Sequence, residues 1–321
     1  MALKLISFLS LTFLVTSLSA QDPLTGQWSL NLPNDEKGWL SVENDVAQLM
    51  WGVGSARPLE KFERQNGTLS FDKGIKRPLA PKEEPAVKYR ISMTADGETL
   101  RGSMQPANGP EVVFSGKKQP PMPAAPDLSK VVFGEPVMLF NGRDLTGWSM
   151  SNSVKKNGWN VRDGLLCNDT PKTDFGAYGE HTNLRTDAEF EDFQLHIEYR
   201  LPPETGGNSG IYLRGMYEVQ VTHRDSKMQG INGPGAVFGR ITPTHNAGKP
   251  AGEWDVLNIT LVNRHVTVVL NGDKVIDNQP VLGCTGGALK SDVTQPGPIY
   301  LQGDHTSVQY RNIILRPARQ P

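Results

Sequence analysis

The chain predicts an all-β protein: a two-sheet sandwich of jelly-roll type in its second half, preceded by a small antiparallel β-barrel or sandwich. Three observations predict it. Short runs alternate apolar and polar residues along the whole chain; in Phe193-Gln194-Leu195-His196-Ile197-Glu198-Tyr199-Arg200 every odd position is apolar and every even one polar. Turn formers are dense, with 33 glycines and 24 prolines in 321 residues. No segment of useful length carries a helical period.

The first 20 residues predict a leader rather than fold. Met1 to Lys4 carries one positive charge, Leu5 to Val15 is apolar apart from Ser7, Ser10 and Thr12, and Ser17-Leu18-Ser19-Ala20 supplies the small residues of a cleavage site. The apolar run is short of the roughly 20 residues that a membrane span needs, and no later run is continuously apolar enough. The expectation is a signal peptide over 1–20 and a periplasmic or secreted mature chain. No cysteine flanks the cleavage site, so a lipid anchor is not expected.

Residues 21–118 read as closely spaced strands, an all-β accessory domain. Gly26 to Leu32, Gly38 to Val42, Ala47 to Trp51, Thr68 to Phe71 and Val87 to Met93 are separated by turn residues. Asp96-Gly97 then signals a hairpin into Thr99 to Met104, and Glu111 to Phe114 follows. Trp28, Trp39 and Trp51 suit core packing better than an aromatic binding platform. This half holds no histidine, which weakens any acid–base or metal role for it. Gln119-Pro120-Pro121-Met122-Pro123-Ala124-Ala125-Pro126 favours an extended spacer, giving a linker over 119–130.

Residues 131–321 continue strand after strand. Asp255 to Val262 and His265 to Leu270 are strands, and Asn271-Gly272 is a type I′ hairpin signal before Lys274-Val275-Ile276. Pro298 to Gln302 and Val308 to Leu315 close the unit. One sheet is expected to curve into a groove. The two cysteines, Cys167 and Cys284, read as buried free thiols, although an exported compartment permits their pairing. A formal net charge of -1 gives no electrostatic case for nucleic acid or anionic lipid as a partner.

Chemistry concentrates in Gly206 to Val221. This stretch reads as a glycine-rich turn, a strand, a tight turn and a second strand. Alternation puts Tyr212 and Arg214 on one side of the first strand, and Glu218 and Gln220 on one side of the second. A guanidinium, a carboxylate and a carboxamide on one sheet face resemble the floor of a sugar site; the competing reading is a solvent-washed outer face. All six histidines lie in the second half, without a recognised metal-ligand spacing. His223 and His305 are the better placed, each beside a strand end. Glu253-Trp254-Asp255-Val256-Leu257-Asn258 falls short of the E-x-D-x-x-E strand of retaining β-sandwich glycosidases, because Asn258 stands where the third acid belongs.

A series of motifs resembles the 3-keto-disaccharide hydrolase domain family over about 137–318. It opens with Leu139-Phe140-Asn141-Gly142-Arg143-Asp144-Leu145-Thr146-Gly147-Trp148 and continues through Trp159 to Gly164, Asn208 to Arg214, Tyr217 to Gln220, Lys249 to Trp254 and Leu270 to Gly272. Ile299 to Gln302 and His305 to Ile313 complete it, with Gly303 and Asp304 setting the histidine further from Gln302 than the resemblance leads one to expect.

The resemblance implies an exported, concanavalin-like enzyme acting on glycosides oxidised at C3. A 3-ketone acidifies the C2 proton, so elimination of the C1 substituent followed by hydration gives net hydrolysis without a carboxylate nucleophile. On that reading Glu218 or His305 is the base, and Arg214 or a divalent metal polarises the ketone. Gln220, Asn208 and Gln302 hold sugar hydroxyls, with Lys249 a further binding candidate, and Trp254 or Tyr212 stacks on the ring. Were a metal bound, its ligand candidates are Glu218, His305 and His223. The expected partner is an oligosaccharide or glycoside substrate. Two rivals remain at this point, a non-catalytic carbohydrate-binding module and a structural exported protein.

Overall fold

In a computed structural model, residues 22–76, 83–171, 180–203 and 207–319 are described; the expected leader lies outside them. Among the described residues there is no α-helix, and none is long and apolar enough to cross a membrane.

The first nine strands form one antiparallel sheet: β1 (Gly26–Asn31), β2 (Lys37–Glu43), β3 (Val46–Trp51), β4 (Arg57–Pro58), β5 (Glu63–Gln65), β6 (Thr68–Ile75), β7 (Val87–Asp96), β8 (Thr99–Pro106) and β9 (Val112–Lys118). Their spatial order is β4-β3-β2-β1-β9-β8-β7-β6-β5, so the chain's first strand sits in the middle, paired with both β2 and β9. Asp96-Gly97 turns β7 into β8 with Asp96 opposite Thr99, the hairpin the dipeptide signals. Trp28, Leu30, Leu40, Phe71 and Ile91 share one buried core. Each such side chain contributes roughly 1.5–3 kcal/mol on burial.

Thirteen strands follow. β10 (Val137–Met138), β12 (Trp159–Arg162), β13 (Leu165–Asn168), β15 (Phe193–Arg200), β18 (Trp254–Val262), β19 (His265–Leu270), β20 (Asp273–Pro280) and β22 (Val308–Pro317) form an eight-stranded sheet. β11 (Trp148–Met150), β14 (Leu184–Thr186), β16 (Asn208–Leu213), β17 (Tyr217–Thr222) and β21 (Tyr300–Leu301) form a five-stranded one, in the order β11-β14-β21-β16-β17. Ile197, Leu257 and Val268 from the larger sheet and Ile211, Val219 and Leu301 from the smaller share a single core, which makes the sandwich. Alternation holds in β15, whose odd-numbered Phe193, Leu195, Ile197 and Tyr199 are all buried. Asn271 (φ 55) and Gly272 (φ 97) make the two-residue turn between β19 and β20, where a type I′ geometry needs positive φ at both positions.

Two expectations about organisation are sharpened. Cys167 and Cys284 are buried and free, and burial pushes the Cys284 thiol up to about 12. The proline-rich stretch is extended but does not hang free, because Arg264 Nη1 donates to the Pro120 carbonyl and Asn278 Nδ2 to that of Pro126. Nor is the first sheet apart from the sandwich: Trp39 and Met50 belong to the sandwich core. Trp28 is fully buried and Trp51 packs edge-on against Phe114, so none of the three tryptophans makes a platform.

Candidate active site

The site is built on the outer face of the five-stranded sheet. In β16 and β17, Ile211, Leu213, Tyr217, Val219 and Val221 enter the core, so Gly210, Tyr212, Glu218 and Gln220 face the other way. Leu301 and Leu184 are core residues too, which turns Tyr300 and Arg185 outward with the neighbouring Gln302 and Asn183. Pairing aligns these side chains across strands. Ser149 lies opposite Arg185, Arg185 opposite Tyr300, Tyr300 opposite Tyr212, and Tyr212 opposite Glu218. One polar row therefore crosses the whole sheet.

This face is not washed by solvent, as the competing sequence reading had it. Every residue of β17 is buried, and Tyr212, Tyr300 and Gln302 are buried with it. β17 is the edge strand, and two chain segments seal its free side. Gly235 N donates to Gln220 O, Gln220 N to Ala236 O and Phe238 N to Glu218 O. Thr285 supplies the rest: its Oγ1 accepts from Glu218 N at 3.0 Å, and its N donates to Met216 O.

Glu218 is the electrostatic centre. Its side chain lies over Gly210, the one position in the facing strand without a side chain to obstruct it. Burial pushes its carboxyl pKa up to about 8, and the charge of nearby Asp304 adds to the rise, while hydrogen bonding with Tyr212 opposes it. Burial raises Tyr212 well above the usual phenol value, so it stays a donor; its hydroxyl donates to Gly286 O at 2.9 Å. Gln302 Nε2 reaches that hydroxyl at 3.4 Å. Gln220 Nε2 donates to Asn208 Oδ1 at 2.8 Å. The side-chain carbonyl oxygens of Gln220 and Gln302 are buried and have no partner among the described residues.

His305 stands beside this cluster, its Nδ1 2.5 Å from Asp304 Oδ1. The two side chains are 18% and 16% exposed, so the dyad lies where solvent and the buried row meet. Asp304 acts electrostatically on Glu218, Tyr212 and Tyr300 together, which places it among them. Asp304, next to His305 in the chain, thus supplies a carboxylate that orients the imidazole.

Three residues anticipated at this site are elsewhere, for identifiable reasons. Arg214 sits in the β16–β17 turn with φ 55, which breaks the alternation that would aim it at the sugar floor. Its buried guanidinium donates to the carbonyls of Val293 and Gln295. Trp254 belongs to the eight-stranded sheet, where the guanidinium groups of Arg200 and Arg311 lie 4.7 and 4.0 Å from its ring centre. Lys249 donates its ammonium to Trp254 O at 2.8 Å, and its backbone N to buried Asp255, so both are parts of that strand's start. Glu253 is exposed, and buried Asp255 accepts from Asn271 Nδ2.

Asn208, Tyr212, Glu218, Gln220 and Gln302 do converge, and His305 borders them. Sequence reading missed Asn183, Arg185, Tyr300, Asp304 and Phe238. The alternation in Asn183-Leu184-Arg185 carried a signal for the first two. Phe238 adjoins Glu218 along the sealed edge with Val237 in the core, so its half-buried ring shares the outer face. His223 directly follows β17, with its Nδ1 buried and without a partner among the described residues.

The donor set does not make a cation site. Among the described residues no three His, Cys, Asp or Glu side chains gather as metal ligands. Glu218, His305 and His223 thus do not form such a group.

A family model described as a 3-keto-alpha-glucoside-1,2-lyase-like domain matches residues 135–316. No curated protein matches the chain. Among solved structures, a "putative glycosyl hydrolase" from Parabacteroides distasonis is 28% identical, covering 62% of this chain and 94% of its own, at a TM-score of 0.45. A second from that organism is 20% identical, covering 57% and 93%, also at 0.45. A carbohydrate binding module from Bacillus subtilis is 12% identical, covering 52% and 93%, at 0.34.

Proposed function

Because the chain belongs to the 3-keto-alpha-glucoside-1,2-lyase-like domain family, we propose that this carbohydrate-active protein cleaves 3-keto-glycosides by elimination and rehydration, with Glu218 as the base. The observation that carries the reading is the Glu218 carboxyl lying buried over Gly210, beside Tyr212 and Gln220, where burial pushes its pKa up to about 8. A base is most effective with a pKa near the working pH.

The Glu218 carboxylate takes the C2 proton, and the C2–H electron pair moves into the C2–C3 bond as the ketone becomes an enolate. The Gln302 amide, whose contact with the Tyr212 hydroxyl uses only one of its two N–H groups, is the donor at hand for that oxygen, in a dry site where each hydrogen bond counts for more than in water. The enolate then re-forms the ketone and makes the C1–C2 double bond, expelling the C1 oxygen with its substituent. His305, oriented by Asp304, protonates that leaving oxygen. Water adds at C1 and a proton returns to C2, so the sum is 3-keto-glycoside plus water giving 3-keto-sugar plus free alcohol. Gln220, Asn208 and the Gln302 carbonyl hold hydroxyls through these steps. The leader expected over residues 1–20 supports a periplasmic or secreted place of work.

The test is release of the leaving alcohol from a 3-keto-glucoside and from the same glucoside unoxidised. Release from the ketone alone is expected. Equal release from both would mean ordinary glycosidase chemistry, and saturable binding without release from either would make the protein a binding module.

A further inference from the structure

The first sheet grips the chain segment 283–295, and that segment holds the hairpin carrying Tyr212 and Glu218. We infer that the first sheet is a working part of the active site, with Trp39 and the Gly52–Ser55 turn as positioning residues for the Glu218 strand.

The grip has two ends. At one, a Cβ on Gly283 would lie 2.1 Å from the Trp39 ring, so strap and ring are in direct contact. Cys284 Sγ lies 3.5 Å from Gly38 O. Gly287 N donates to Gly52 O at 2.8 Å, and a Cβ on Gly286 would strike the Gly54 backbone at 2.4 Å. At the other end, Ser29 Oγ donates to Ser291 O at 2.5 Å, Ser291 Oγ to Leu30 O at 3.2 Å, and Lys117 pairs with Asp292 at 3.0 Å.

Between its two held ends the strap meets the hairpin repeatedly. Thr285 bonds the backbone at Met216 and Glu218, and Gly286 O takes the Tyr212 proton. Leu289 N donates to Gly215 O, and Val293 O and Gln295 O take the guanidinium of Arg214. Arg214 is thus a latch on the turn of the hairpin. The second sealing segment is held from the same side: a Cβ on Gly239 would lie 2.6 Å from Ser55 Oγ, and the Arg240 guanidinium stacks 4.0 Å from the Trp39 ring centre while donating to Cys284 O. Trp39 therefore touches both segments that close the edge of β17. The family match begins only at residue 135, so the sheet that makes these contacts lies outside it.

Native-state hydrogen exchange of the full chain tests the coupling without any substrate, so its outcome is separate from that of the activity reading. In Trp39→Leu the amides of Glu218, Thr285 and Leu289 should exchange at least about tenfold faster, while those of Leu257 and Ile259 in β18 keep their rates. Trp39→Phe, which keeps an aromatic face beneath Arg240, should restore most of the protection. Gly286→Ala, a wedge between strap and turn, should give the same local pattern and decides the matter if Trp39→Leu does not fold. Unchanged exchange at Glu218 and Thr285, or faster exchange spread evenly over both sheets of the sandwich, would overturn the inference.

Discussion

The carboxyl group of Glu218 fills the space that a side chain at Gly210 would need: a Cβ there would lie 2.2 Å from Glu218 Oε1. Glycine at 210 is thus not a turn device, since it lies mid-strand opposite Gln220. Its missing side chain lets the carboxyl lie flat on the facing strand beside Tyr212.

Gly210→Ala should displace that carboxyl and leave the sheet standing, because alanine is tolerated in strand backbone. Turnover of a 3-keto-glucoside is expected to fall on the order of 100-fold, the penalty for misplacing a catalytic group by about an ångström. Steady-state kinetics together with unchanged far-ultraviolet circular dichroism would check it.

The pH–rate profile follows from the raised carboxyl. Glu218 holds its proton below about 8 and is a base only above it. For the free enzyme, kcat/KM should rise with pH through an inflection near that value. A profile already flat from pH 5 upward would mean that another group takes the proton.

Stability should run the other way. Folding raises the Glu218 pKa from about 4.5 to about 8, so between these values the folded state binds more protons than the unfolded one. Its contribution to stability therefore falls as pH rises from 4.5 to 8. Glu218→Gln cannot ionise, and between pH 5 and 8 it should gain about 3 to 4 kcal/mol on the wild type, at about 1.4 kcal/mol per pH unit, while losing turnover. Denaturant melts of both proteins at pH 5 and 8 measure the difference; parallel curves would contradict it.

Trp254→Ala should leave KM for a 3-keto-glucoside within roughly twofold, as expected of a side chain away from the functional surface. Its ring sits between Arg200 and Arg311 on the eight-stranded sheet. A large rise in KM would return it to the sugar site.

Alternation carried most of what was legible in the sequence. The run Tyr217 to Val221 put Glu218 and Gln220 on one face, and Asn271-Gly272 fixed a hairpin, because both signals are local. Arg214 broke the rule because a turn residue at φ 55 no longer obeys strand period. Trp254 and Lys249 were misplaced because no local pattern tells which sheet of a sandwich a strand joins. Asp304 and the strap over 283–295 left no periodic trace at all; their roles come from contacts spanning scores of residues, such as Tyr212 with Gly286 and Ser29 with Ser291.

The most direct measurement is the rate of alcohol release from a 3-keto-glucoside carrying deuterium at C2, set against its protiated twin. Proton abstraction by Glu218 predicts a primary isotope effect in the wild type, and no release by Glu218→Gln. Equal rates for the two isotopologues, with full turnover by the glutamine variant, would contradict the account.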